Sequence, residues 1–463
     1  MMKSKTLLFI FLLLSPQWLL AQTHPNVCFN EGVDLLSTVW RLADAEEYNR
    51  CQVEPYAKSL DRWFADHRQH PAVELARRYH ENGTGFDAVV DFGVMLKITE
   101  QGIEWDDEKE NKLDERWTES MRQEFLPALK DFYREARFAQ WYAGTDSIRR
   151  AAIHAFSPIA SQIHMDWFDD FFQTKRFDSQ IILSFLVGPC NYGVSCQLQS
   201  GELLLCPVIG IAELVEGHIQ YDSQVVLPIV IHEFCHPFCN PLVDDVWQDM
   251  KPALKDAFEY NRVLLKNQAY TSPKIMMYET LVRASVIGYL QRYGLSDSVE
   301  ALMREEEEQG FALIRPTMQA LMDYAETKGE QSLNSFLPRL VECVNAFDVK
   351  KYARRKKAEK EAEEKMKVHY ACNLKNKAKN LPAGELVFQL TFDRPMKPGI
   401  SLGKNDRAFP TYKEHSWSAD RKTITIVFVT QPSTTYGVQV LGENFVSEDG
   451  RQAVTRDFVF STK

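Results

Sequence analysis

Two histidines four residues apart, His232 and His236, with Glu233 directly after the first, carry the most chemically suggestive spacing in this 463-residue chain. They sit in VVLPIVIHEFCHPFCNP, residues 225–241. On a helix, positions i and i+4 share a face, so both imidazoles can reach one ion while Glu233 approaches a water beside it. Neutral imidazole suits zinc, which brings the pKa of a bound water down to about 7, where a nearby carboxylate can act as its base. The pattern therefore predicts a hydrolytic zinc centre with Glu233 as general base. The plainer reading is a buried helix with two core histidines. Ile229, Val230 and Ile231 just ahead predict burial under either reading.

A catalytic zinc keeps three protein ligands and one open position, so a third ligand is required. A histidine six residues beyond His236 would complete one known arrangement, but that position is Leu242. A glutamate on a following helix is the alternative. Residues 276–293 read as an amphipathic helix ending at Gly294, with Glu279 in its first half and Arg283 four residues on, placed to orient the carboxylate. A Glu and Arg so spaced are also commonly a mere surface pair. Glu259, Asp244 and Asp245 compete for the same role. An oxyanion donor is expected near the metal, with His218, Tyr270, Tyr278 and Tyr289 as candidates. Cys235 falls off the histidine face, and it and Cys239 read as core or bridge residues. Pro237 predicts a kink or stop that leaves the Glu233 carbonyl free, and Asn240-Pro241 then predicts a change of chain direction.

The elements that must position these groups follow from hydrophobic periodicity. From about 34 to 176 apolar residues recur at helical spacing. Gln180–Gly188 and Glu202–Ile211 read as two strands or a hairpin, with Asn191–Val194 as turn and a possible strand-addition edge for a peptide. Helical periodicity returns at about 224 and continues in segments near 275–293, 297–308, 315–328 and 333–346. The charge run at 350–367 predicts a solvated helix or spacer. From Val368 to Lys463 the alternation of Leu386, Phe388, Leu390 and Phe392, and of Ile424, Ile426 and Phe428, predicts short antiparallel strands.

Lys3 and Lys5 before the apolar run Leu7–Leu14, with Ala21 beyond, read as a signal peptide cleaved near Ala21, hence a periplasmic or secreted chain. No later apolar run reads as a membrane span. A hydrophobic content of 45% supports a globular core, and a net charge of -10 argues against nucleic acid as partner. Nine cysteines are too few for a disulfide scaffold, although Cys28 with Cys51 and Cys190 with Cys196 or Cys206 are plausible bridges.

HEFCHPFCNP, with YETLVRA downstream and HPAVELARRYHENGTGFDAVVDFGVML at 70–96, resembles a family of secreted bacterial proteins of unknown function that is similar to gluzincin-type metallopeptidases. The resemblance spans roughly residues 25–345 and implies His232, His236 and Glu279 as ligands of one zinc ion and Glu233 as base. LTFDRPM at 390–396 and YGVQVLGENFVSEDG at 436–450 resemble a bacterial Ig-like domain of the S-layer type, which implies a spacer or adhesive module. The expected architecture is multidomain. A mainly helical α+β zincin-like domain (22–346) and a charged helical linker (347–367) precede an all-β Ig-like sandwich (368–463). The expected activity is zinc-dependent hydrolysis of peptide bonds in a peptide or protein substrate, with surface or glycan contact through the sandwich. The competing expectations are a non-catalytic surface-binding protein on the same scaffold, and hydrolysis of a non-peptide amide or ester.

Overall fold

Side chains able to accept from free amides mark where helices begin. Asn30, His70 and Thr118 cap α1 (Glu31–Leu42), α3 (Pro71–Glu81) and α5 (Glu119–Glu135), with α2 (Glu54–Trp63) and α4 (Asp87–Val94) between them. A computed structural model describes residues 24–110, 113–173, 177–296, 298–327 and 336–463, so the leader reading falls outside the described residues, as does the start of the expected 333–346 helix. The chain divides into two compact units, Met1–Phe347 and Asp348–Lys463.

The amino-terminal unit is mostly helical, continuing through α6 (Phe138–Gly144), α7 (Asp146–Ala160) and α8 (Met165–Phe172). Its strands are β1 (Asn26–Cys28), the hairpin of β2 (Leu96–Thr99) and β3 (Gly102–Trp105), then β4 (Phe177–Leu183), β5 (Asn191–Gln197) and β6 (Leu203–Ile209), followed by a second hairpin, β7 (Glu213–Val215) and β8 (His218–Gln220). The main sheet runs β1-β4-β6-β5, parallel except for β5, which pairs antiparallel with β6 at the edge. Of the two alternatives read in the sequence, two strands hold and the hairpin does not: the apolar runs are parallel neighbours, and Asn191–Val194 is not a turn but the start of β5. Turn-forming residue types misled because Gly193 serves close packing against a helix instead of chain reversal.

That helix is α9 (Ser223–Asn267), capped by Asp222 and followed by α10 (Pro273–Arg292), α11 (Val299–Glu308), α12 (Ile314–Thr327) and α13 (Leu337–Asn345). The expected stop at Pro237 and redirection at Asn240-Pro241 do not occur. The helix runs through both prolines, and its non-helical point is Asn261. Buried Phe234, Cys235, Phe238, Cys239 and Val243 hold it against its neighbours, so tertiary packing outweighs the local proline penalty. Against the expectation that no later run reads as a membrane span, α9 is long and apolar enough to cross one by length and composition alone, but 56% of its most apolar window is buried within the protein, as for a core helix.

The second unit opens with the charged helix α14 (Val349–Met366) and is otherwise β-structure. Strands β9 (Tyr370–Cys372), β11 (Gly384–Phe392), β13 (Thr411–Trp417) and β14 (Thr423–Thr430) form one sheet, and β10 (Ala378–Leu381), β12 (Leu402–Gly403), β15 (Thr435–Val440) and β16 (Arg456–Thr462) form the other. Phe388, Leu390, Ile424, Ile426 and Phe428 of the first share one core with Val438, Val440, Phe458 and Phe460 of the second. The period-two alternation read in the sequence is the inward face of this pair of sheets.

Candidate metal centre

The helical spacing of His232 and His236 puts their Nε2 atoms 3.1 Å apart on one face of α9. α10 packs along α9 and lays Glu279 opposite them. One carboxylate oxygen stands 3.4 Å from His232 Nε2 and the other 3.5 Å from His236 Nε2. Ligands about 2.1 Å from an ion at tetrahedral angles stand roughly 3.4 Å from one another, and the two imidazoles and the carboxylate each offer a donor atom within 4.8 Å of the others, close enough to share one ion. The three side chains are only 19%, 16% and 11% exposed, which leaves a narrow solvent approach. Glu279 Oε2 is buried and meets only long contacts, 3.4 Å to His232 Nε2 and 3.6 Å to Arg283 Nε, with no short hydrogen bond. An acceptor stranded in this way, beside two ring nitrogens, fits a cation.

Electrostatics separate the two glutamates. Burial alone would raise Glu279, but the charges of His232, His236 and Arg283 outweigh it and hold the carboxyl down to about 2. Burial pushes Glu233 up to about 7, aided by the negative charges of Glu279 and Asp87 and opposed by His236. One carboxylate is thus kept anionic while the other is poised to exchange a proton. Glu233 lies 4.0 Å from His236 Nε2.

Surrounding groups fix the histidines and Glu279. Asn240 Oδ1 is 3.3 Å from His236 Nδ1 and orients that ring. Arg283 Nε lies 3.6 Å from Glu279 Oε2, beyond a hydrogen bond. The guanidinium is anchored instead on Glu306 at 2.7 Å, Tyr270 Oη at 3.1 Å and Gln309 at 3.2 Å. It also lies over the Phe311 ring at 4.2 Å. Glu306 and Asn240 were missed in the sequence. Asn240, four residues beyond His236, had a helical-spacing signal, whereas Glu306 lies on a separate helix with none.

The remaining candidates are placed elsewhere. Tyr278 Oη hydrogen-bonds Asp244, which also pairs with Lys274, so neither is tied to the histidines. His218 is exposed on β8. Tyr289 Oη accepts from the His164 amide at 2.9 Å. Glu259 is exposed and pairs with Arg262 at 3.4 Å. Of the four oxyanion candidates, Tyr270 is the one bonded into the Arg283 network. The proposed bridges are corrected: all nine cysteines are free thiols, with Cys28 Sγ directed to Gln180 and Cys51 Sγ to the Val53 carbonyl. Cys235 and Cys239 are buried core residues, Cys239 Sγ lying 3.6 Å from Ser285 Oγ.

A mainly helical unit with two histidines and a glutamate converging from adjacent helices defines a protein with a candidate metal centre. The chain belongs to the family described as Domain of unknown function (DUF4932), whose profile matches residues 52–343. No curated protein matches it. Among solved structures it is similar to the crystal structure of the S-layer protein rSbsC(31-844), at 16% identity over 50% of this chain and 33% of that one, with a TM-score of 0.16. A second is the N-terminal part of the bacterial S-layer protein SbsC, at 15% identity over 73% of this chain and 71% of that one, also with a TM-score of 0.16. The chain spans about a third of the first structure. At such scores the likeness carries no conclusion.

Proposed function

We propose that this chain is a secreted zinc-dependent hydrolase acting on peptide bonds, with a zincin-like amino-terminal domain and an Ig-like carboxy-terminal one. The observation that carries the reading is the convergence of His232 Nε2, His236 Nε2 and the Glu279 carboxylate, at 3.1 Å between the imidazoles and 3.4 and 3.5 Å from them to the two carboxylate oxygens, with no short hydrogen bond at the buried Glu279 Oε2. His232, His236 and Glu279 would hold the ion, and Glu233 stands beside it. A bound zinc ion would supply Lewis acidity toward a substrate carbonyl and toward water. Glu233 takes the proton from the attacking water and passes it to the departing amine, a role suited to a carboxylate that burial makes more basic. Asn240 keeps His236 Nε2 aimed inward, and Arg283 balances the charge of Glu279. The leader-like residues 1–21 support export.

The test combines metal content with hydrolysis. The purified chain is expected to carry one zinc ion, His232→Ala and Glu279→Ala to lose it, and Glu233→Gln to keep it while hydrolysis falls at least about 10²-fold. A wild-type chain without stoichiometric metal, or unchanged turnover in Glu233→Gln, sinks the proposal.

A further inference from the structure

Phe86 stands at φ 54° and ψ -131°, a backbone conformation that glycine takes freely and a bulky side chain resists. Burial does not explain its placement, because the residue is 48% exposed. Yet the turn is clamped at three successive carbonyls. Trp40 Nε1 donates to Thr84 O at 3.0 Å, Arg116 to Gly85 O at 3.2 Å and Tyr48 Oη to Phe86 O at 2.7 Å. The Phe86 amide donates to Glu47 at 3.4 Å, and His80 Nε2 lies 3.1 Å from both oxygens of that carboxylate. Gly85 is pressed so close that a Cβ there would lie 2.5 Å from Glu47 Oε1. Strain of this kind persists only where the surroundings over-determine it, and here they hold one aromatic ring out in solvent.

The turn connects to the candidate metal centre through α4 and β5, and the charge of Asp87 is felt at Glu233. Asp87 begins α4, which packs against β5. On β5, Gly193 lies against the Glu233 carbonyl and His236 Cβ. Its neighbour Tyr192 has a buried hydroxyl beside Cys190 that feels the charges of Asp87 and Glu47. The motif that carries the turn, HENGTGFDAVVDFGVML, is otherwise unexplained by the metal site.

We infer that Phe86 is a specificity-determining residue whose exposed ring packs against an apolar or aromatic side chain of the peptide beside the bond to be cleaved. This rests on the hydrolase reading above. The experiment uses the full-length zinc-loaded chain, a library of quenched fluorescent peptides varied on both sides of the scissile bond, and Phe86→Gly and Phe86→Leu variants. Phe86→Gly relieves the backbone, so its Tm is expected to hold or rise by a few degrees. Its kcat/KM is expected to fall at least about tenfold on peptides with apolar or aromatic residues at the selected position and to stay within about twofold on those with small ones. Phe86→Leu keeps an apolar contact and most of the preference. An unchanged cleavage profile in Phe86→Gly overturns the inference alone, as does a lowered Tm with uniform loss across the library, which would make Phe86 structural. A zinc-loaded wild type that cleaves no peptide overturns the hydrolase reading and this inference together.

Discussion

Gly193 lies so close to α9 that a Cβ there would stand 2.6 Å from the carbonyl oxygen of Glu233 and 2.9 Å from His236 Cβ. That carbonyl is the one Pro237 leaves without a helical amide partner, and the strand backbone packs directly against it. Gly193→Ala must push the strand off the helix. The expected loss is about 1–3 kcal/mol in denaturant unfolding, together with weaker zinc binding. Unchanged unfolding and zinc binding would show that the strand yields freely.

Glu306 anchors the guanidinium that faces Glu279. In Glu306→Gln, Arg283 loses its nearest carboxylate and turns toward Glu279, adding positive charge where the cation binds. Zinc affinity in a chelator competition is expected to fall about 10–100-fold although no ligand is altered. An affinity within twofold of wild type would remove Glu306 from the site.

Asp34 on α1 is fully buried, accepting from Ser184 Oγ at 2.9 Å and Tyr56 Oη at 3.0 Å, and burial pushes its carboxyl from 3.8 up to about 6. Between those values the folded chain holds a proton that the unfolded chain has released. Stability is therefore greatest below about pH 4 as far as this group is concerned, and declines as pH rises toward 6, by roughly 3 kcal/mol. Asp34→Asn should flatten that slope in unfolding measurements across pH 4 to 6. A wild-type curve rising over this range with no change in the variant would contradict the assignment.

The carboxy-terminal unit has its own core, in which Phe388 meets Phe458 at 5.3 Å between ring centroids. Phe388→Ala is expected to cost about 3–5 kcal/mol in the unfolding of that unit and to leave zinc content unchanged. Calorimetry with a metal assay checks both, and loss of zinc would mean the two units do not behave independently.

Sequence alone determined what depends on short spacing. His232 and His236 share a face because a helix repeats every 3.6 residues, and the alternation from Leu386 to Phe392 put one face of a strand inward because a strand repeats every two. Those periods survive any packing arrangement. Glu279 was legible as one carboxylate on an amphipathic helix, among rivals; the packing of α10 on α9 brought it to the histidines. Tertiary structure alone decided that Asn191–Gln197 is a strand, that α9 runs through Pro237 and Pro241, and that Arg283 turns to Glu306. In each case a local preference for a turn, a break or an i,i+4 pair was worth at most a few kcal/mol, and buried long-range contacts exceeded it.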